Sequence, residues 1–189
     1  MSECWKKIGN ISGLKLPQEL LDLPKVVTSE VFHNVISDQL GHGDFWLVST
    51  KWTGFSILNR GAATRYLDSL GLPKIANGVN VGIARVMTTA QHGPCSWHVD
   101  PKRIAAVNIS ISNSNTARTE WEDGTSYVME DGDVYSFDAT KQHRIVFFKQ
   151  SDEPRTIITI ALENAYNSPE TQQMLNNLQT ALEQRNHAQ

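Results

Sequence analysis

Cysteine is scarce in this sequence and long apolar runs are missing, and both absences exclude classes of protein. Only two cysteines, Cys4 and Cys95, occur in 189 residues. They provide no disulfide framework, and this usage fits a reducing compartment. No apolar stretch approaches the roughly 18 residues of a membrane span. Residues 1–7 lack the apolar core of a signal peptide, so we expect a cytoplasmic protein without membrane contact.

An excess of basic residues is also missing. The chain has 17 Lys and Arg against 20 Asp and Glu, which gives a formal net charge of -3. Proteins that bind nucleic acid neutralise phosphate with a basic face, so this balance argues against a nucleic-acid partner. A local basic patch stays open as an alternative, although scattered cations usually belong to a solvated surface. The cations concerned are Lys102, Arg103, Lys141 and Arg144.

The length predicts one domain, since 189 residues can bury one good core but are too few for two ordinary domains. We expect a helix and strand layer over residues 1–78, a core over 79–162 and a C-terminal helix over 168–185. From residue 79 onward, short strand patterns alternate with turn formers such as Asp131-Gly132. This order is typical of a sandwich or barrel, so the predicted fold class is mainly β with flanking helices, α+β.

Individual segments carry further predictions. Helices are expected over residues 29–40 and 61–70, and strands over 25–28, 44–48, 79–87, 103–111, 125–129, 133–137, 143–148 and 155–162. In the strand over 79–87, Arg85 shares a face with apolar residues. Its side chain either packs its stem and reaches water or points a charge into a pocket.

The C-terminal helix is predicted from its first residues. Ser168 is a suitable N-cap and Pro169 suits the first helical position. Its apolar stripe consists of Met174, Leu175, Leu178 and Leu182. The stripe is expected to pack on the β core, with a dimer contact as the alternative to a monomer.

Four residues form the main functional motif. His98 and Asp100 end a short strand, His143 follows 45 positions later (143 - 98) and Arg155 another 12 (155 - 143). Two neutral imidazoles and one carboxylate hold a divalent metal on one face and leave the remaining positions open. The planar guanidinium of Arg155 can hold a carboxylate with two parallel hydrogen bonds. Alternation along the strand puts Thr159 on the face of Arg155, and Asn108 is a candidate polar contact on another strand.

In this order and spacing, the residues resemble the iron(II)- and 2-oxoglutarate-dependent oxygenases, whose His-x-Asp…His…Arg signature sits on a double-stranded β-helix, a jelly-roll or cupin-like core. The resemblance covers residues 79–162. The segment 132–138, which leads to His143 and then to residues 151–155, is most similar to the aspartyl/asparaginyl β-hydroxylase branch and its small phage and bacterial relatives.

The resemblance implies an enzyme and its cofactors. His98, Asp100 and His143 would bind Fe(II), while Arg155, with Asn108 and Thr159, would bind the cosubstrate 2-oxoglutarate; O2 is the oxidant. The products would be succinate, CO2 and a hydroxylated protein side chain of the Asp/Asn or Pro type, or a hydroxylated small amino-acid-like molecule. Residues suggested for the substrate pocket are Arg85, Trp97, Arg103, Trp121 and Tyr135, although aromatic residues in a barrel often belong to the core.

Other functions stay open on the sequence. An oxygenase of the same type could modify a nucleobase or nucleotide, and a cupin-like barrel could bind a metal or carboxylate without turnover. A zinc site made by His92, Cys95 and His98 is a third alternative, but a single cysteine without a second pair is a weak zinc pattern.

Overall fold

The computed structural model describes residues 4–29, 43–50, 54–73, 78–87, 96–100 and 103–188. These ranges contain eleven strands and three α-helices. The strands are β1 (Trp5–Asn10), β2 (Lys25–Thr28), β3 (Trp46–Ser49), β4 (Phe55–Leu58), β5 (Gly78–Val86), β6 (Ala105–Ser112), β7 (Ala117–Trp121), β8 (Ser126–Val128), β9 (Asp133–Asp138), β10 (His143–Phe147) and β11 (Arg155–Leu162). The helices are α1 (Gln18–Leu21), α2 (Arg60–Ser69) and α3 (Pro169–His187). The prediction of a mainly β, α+β protein is confirmed.

Two sheets organise the strands. The large sheet has the order β1-β9-β6-β11-β5-β4-β3-β2, and the small sheet has the order β10-β7-β8. Neighbouring strands are antiparallel, with the exception of the parallel pair β2 and β3. An isolated antiparallel bridge joins His98 to His143 at the start of β10, so His98 lies at the edge of the small sheet. From β5 onward the chain therefore passes repeatedly between the two sheets.

The strands of the large sheet alternate their side chains between two faces, and a hydrophobic core covers each face. One face carries Val107, Ile109, Ile158 and Ile160, which form a core with residues of α2 and α3. The other face carries Ala106, Tyr135, Phe137 and Ile157, which pack against Trp121 and Met129 on the side of the small sheet. Odd-numbered residues of β11 and even-numbered residues of β6 thus point between the two sheets.

The C-terminal helix begins as predicted. The Ser168 hydroxyl accepts a hydrogen bond from the Thr171 amide at 3.1 Å, and Pro169 occupies the first turn. Leu175, Leu178 and Leu182 are each only 1% exposed. They pack in the core of their own chain, as expected, so these three leucines are not exposed for a dimer contact.

Several other predictions meet a clear outcome. The helix predicted over 61–70 is confirmed as α2, whereas the helix predicted over 29–40 lies almost wholly outside the described residues. Strands β1, β4 and β7 were not predicted. Of the helix and strand layer expected over residues 1–78, the described strands β1 and β4 pair with β9 and β5 in the large sheet. Within the described ranges, no helix combines the length and apolar content needed to cross a membrane.

Candidate metal centre

Backbone pairing brings the two predicted histidine ligands together. The His98 amide donates to the His143 carbonyl at 3.0 Å, and the His143 amide donates to the His98 carbonyl at 2.9 Å. Residues paired in this way point their side chains to the same side of the sheet. The ring centroids are accordingly 4.6 Å apart. A hydrogen bond of 3.2 Å from the Asp100 amide to the Ala139 carbonyl holds the third predicted ligand beside them.

The three side chains converge on one point. One ligand atom from each of His98, Asp100 and His143 lies within 4.8 Å of the other two. His98 Nε2 is 3.9 Å from Asp100 Oδ1. Donors on one face of a first-row ion at about 2.1 Å lie about 3 Å apart. To bind an ion, the three donor atoms therefore need to approach one another by about 1–2 Å.

The protonation of both imidazoles suits metal binding. Nδ1 of His98 lies 2.8 Å from the Ser96 carbonyl, and Nδ1 of His143 lies 2.9 Å from the Lys141 carbonyl. A carbonyl oxygen can only accept, so each Nδ1 carries the proton and each Nε2 presents its lone pair to the shared point. Burial lowers the pKa of His143, which favours the neutral form that a metal requires.

Arg103 contacts the carboxylate ligand. Its Nη1 donates to Asp100 Oδ2 at 3.4 Å and to Thr159 Oγ1 at 3.2 Å. The first contact leaves Asp100 Oδ1 directed toward His98. Sequence reasoning suggested Arg103 only as a pocket residue, whereas the structure makes it a link between the candidate ligand Asp100 and strand β11.

Arg155 lies on the inner face of β11, as predicted, and is nearly enclosed. It is 6% exposed, and its Nε has no hydrogen-bond partner. No carboxylate of the described residues lies within 4.0 Å of its guanidinium, so a charge is buried there without a counter-ion. Burial lowers the pKa of Arg155, and Tyr135 opposes that shift. Arginine nevertheless remains protonated at neutral pH.

Asn108 and Tyr135 add polar groups to the same inter-sheet space. Asn108 Nδ2 donates to the Tyr135 hydroxyl at 3.2 Å, while Asn108 Oδ1 is buried without a partner. Buried amide oxygens are normally satisfied, so Asn108 Oδ1 is available to accept a hydrogen bond from a bound group or an ordered water. Tyr135 is 2% exposed and belongs to the inter-sheet core.

The remaining residues suggested for the substrate pocket separate into two groups. Trp97 is 38% exposed next to His98, and the Arg144 guanidinium lies over its ring at 4.6 Å from the centroid, so these two residues form a rim. Trp121 does not line an open pocket. It is 2% exposed and packs beneath His143 with ring centroids 6.4 Å apart.

The suggestion that Arg85 lines the same pocket is wrong. Arg85 pairs in register with Thr156, the neighbour of Arg155, and therefore points to the opposite face of the large sheet. Its guanidinium lies 5.6 Å from the centroid of the Trp46 ring on that face. Alternation along β5 correctly puts Arg85 on the same face as its apolar neighbours, but the sequence does not show which face of the sheet meets the metal ligands.

Two further alternatives concern the surroundings of the site. His92 and Cys95, suggested as zinc ligands with His98, lie outside the described residues, as does Lys102 of the basic patch. Arg144 is not an isolated cation, because its Nη2 lies 2.7 Å from Glu120 Oε2. Arg118 pairs with the same carboxylate at 2.5 Å, which reduces the positive charge available there.

Comparison with known proteins adds little. No protein-family model and no curated protein matches this chain. Among solved structures, the crystal structure of AviO1 from Streptomyces viridochromogenes Tue57 is similar at 17% identity and a TM-score of 0.32. The match covers 48% of this chain and 55% of that chain, and at this TM-score it does not establish a shared fold.

Proposed function

We propose that this protein is an Fe(II)- and 2-oxoglutarate-dependent dioxygenase. The observation that carries the proposal is the meeting of His98, Asp100 and His143 within 4.8 Å. A set of two imidazoles and one carboxylate is the ligand type of non-haem Fe(II) oxygenases. The buried Arg155, which lacks a counter-ion among the described residues, supports a carboxylate-bearing cosubstrate between the sheets.

The strand order supports a double-stranded β-helix, or jelly-roll, as the core. Four neighbouring strands of the large sheet, β9-β6-β11-β5, face the small sheet β8-β7-β10, which the bridge between His98 and His143 extends by one short segment. This gives four strands on one side and three strands with the short His98 segment on the other, and the crossing of the chain between the sheets supports two interlocked Greek keys. The metal ligands then lie at one end of the space between the sheets.

The donor set fits Fe(II) and its requirements. The two Nε2 atoms and Asp100 Oδ1 are the atoms that would hold the ion, and this ligand type leaves room for further ligands. When bound, the iron activates O2 and supplies the oxidising power that protein side chains lack. The protein orients the reactants: His98 and His143 are fixed by their Nδ1 hydrogen bonds, and Asp100 is fixed by Arg103.

Arg155 would hold the distal carboxylate of 2-oxoglutarate. The buried guanidinium, which Tyr135 influences electrostatically, can form two hydrogen bonds to a carboxylate. The Tyr135 hydroxyl and the unpartnered Oδ1 of Asn108 lie in the same inter-sheet space, where they can bind polar groups or an ordered water. Succinate and CO2 are the expected coproducts.

For the prime substrate, we propose a protein side chain of the Asp/Asn or Pro type, or a small amino-acid-like molecule. Pairing of Arg118 and Arg144 with Glu120 weakens the case for a nucleotide substrate, because those guanidinium charges are partly neutralised. A cupin-like binding barrel without turnover would share the same geometry and is distinguished by assay.

The test combines metal binding with turnover. Wild-type protein should bind Mn(II) and, with Fe(II) and ascorbate, convert 2-oxoglutarate to succinate. His98→Ala and Asp100→Ala should lose both properties. His187→Ala is the matched control, since His187 is exposed on α3 and should change neither. Undiminished succinate formation by His98→Ala would refute the proposal, and metal and 2-oxoglutarate binding without turnover would favour the binding barrel.

A further inference from the structure

A second arginine lies behind the candidate active site. Arg85 on β5 is directly opposite Thr156 on β11, and it faces the side of the large sheet that α2 and α3 cover. Its guanidinium packs over Trp46, with 5.6 Å between Cζ and the ring centroid. This packing holds the head group in place instead of releasing it to bulk solvent.

The charge of Arg85 is incompletely compensated. Its Nε is buried and has no hydrogen-bond partner. Glu153 acts on it electrostatically, yet no carboxylate of the described residues lies within the 4.0 Å of an ion pair. A buried guanidinium nitrogen without a partner is costly, so its retention needs an explanation.

Arg85 is one of the residues that line a cavity of about 420 Å³. The apolar part of the lining consists of Leu14, Leu16, Leu21, Ile111 and Pro154, and Ser112 and Thr156 add hydroxyl groups. The other charged lining residues, Lys15, Asp131 and Glu153, are exposed. Among the charged lining residues, Arg85 is therefore the half-buried one, and a volume of this size lies within the usual range for small-molecule sites.

We propose that this cavity binds a small carboxylate with an apolar body, with the carboxylate on Arg85 and the body against the leucine wall. A carboxylate suits the planar guanidinium, which forms no ion pair with a carboxylate of the described residues. The apolar body gains from removal of its surface from water. This site is separate from the proposed cosubstrate site and does not require a metal.

The sheet provides an internal control for this proposal. Arg85 pairs with Thr156 and Arg155 pairs with Val86, so two arginines at adjacent register positions point to opposite faces. Arg85→Gln should weaken binding on one face only, and Arg155→Gln on the other. Octanoate is a suitable probe for the Arg85 cavity, and 2-oxoglutarate for the Arg155 site.

The experiment measures octanoate binding to metal-free protein by calorimetry, with octanamide and inorganic phosphate as comparison ligands. We expect wild-type protein and Arg155→Gln to bind octanoate equally. Arg85→Gln should bind it about tenfold more weakly or worse, which is the usual consequence of losing a charge-assisted hydrogen bond. Glu153→Gln should bind more tightly, because it removes a negative charge from the rim. Leu21→Trp keeps Arg85 and should weaken binding by filling the cavity.

The outcomes separate the alternatives. Equal octanoate affinity in wild-type protein and Arg85→Gln, or loss only in Arg155→Gln, would overturn the proposal. Octanamide binding as tight as octanoate would show that charge is not recognised, and phosphate binding as tight would show that the apolar wall contributes nothing; each would overturn it. If Arg85→Gln does not fold, Leu21→Trp and Glu153→Gln still decide, since unchanged affinity in both would contradict the assignment.

Discussion

Replacing Arg155 with methionine should make the ligand-free protein more stable while removing its affinity for 2-oxoglutarate. Arg155 is 6% exposed, its Nε has no partner, and no carboxylate of the described residues forms an ion pair with it. Methionine is unbranched and flexible, so it can fill most of the same space without a polar atom that needs a hydrogen bond.

The expected magnitude follows from the burial. A buried polar group without a partner costs about 1–3 kcal/mol, and replacing it with an apolar group recovers part of that cost. We therefore expect the free energy of unfolding of Arg155→Met to rise by at most about 1–3 kcal/mol. In a chain of this length each kcal/mol corresponds to about 2–4 °C in melting temperature. When 2-oxoglutarate is present at 100 times its Kd, the free energy of unfolding of wild-type protein should rise by about 2.7 kcal/mol, and that of the variant should not rise.

Urea unfolding and thermal melting, each with and without 2-oxoglutarate and Mn(II), measure both effects. Arg118→Met is the matched control, because Arg118 is an exposed arginine whose ion pair with Glu120 should matter little. A ligand-free Arg155→Met protein that is less stable than wild type by more than 1 kcal/mol would refute the reasoning, since Arg155 would then have a structural partner. Stabilisation of the variant by 2-oxoglutarate equal to that of wild type would refute its proposed role.

Three further predictions test other parts of the structure. Arg103→Ala should weaken Mn(II) binding by about 10-fold to 100-fold while leaving the fold intact, because Asp100 loses its hydrogen-bonded neighbour; unchanged affinity by calorimetry would contradict the positioning role. The Asp133→Asn variant should lose less free energy of unfolding in acid than wild-type protein does. Burial alone would raise the pKa of Asp133, but hydrogen bonds from Lys7, Tyr127 and other donors lower it below its usual value. The folded state therefore holds the proton less tightly than the unfolded state, so stability present above about pH 4 is lost as the pH falls further. Urea unfolding between about pH 5 and pH 3 should show that the free energy of unfolding declines more steeply for wild type than for Asp133→Asn. Parallel declines would contradict this prediction. Leu182→Ala should cost about 2–5 kcal/mol, as expected for a buried leucine; a smaller loss in urea unfolding would mean that α3 is loosely packed.

The sequence was most informative where the pattern is local. The ends of β11 agree with the prediction, because Pro154 and the polar residues before it end one segment and alternating apolar residues follow. The N-terminus of α3 agrees for a similar reason, since Ser168 and Pro169 satisfy the first turn through neighbours in sequence. Strand β1 was missed because Trp5-Lys6-Lys7 has no clear alternation. Its pairing with β9, more than 120 residues away, is what makes it a strand.

By itself, the amino-acid sequence determined the chemistry that is available: two imidazoles, a carboxylate and an arginine at spacings compatible with a metal site, and the parity that groups Arg155 with Thr159. Only the tertiary structure decided which groups meet. Two backbone hydrogen bonds between residues 45 positions apart bring His98 to His143 (143 - 98). Packing of the sheets made Trp121 a core residue, linked Arg103 to Asp100, and turned Arg85 toward Trp46. Local periodicity assigns a side chain to one face of a strand, but which partner covers that face depends on contacts between segments far apart in the chain.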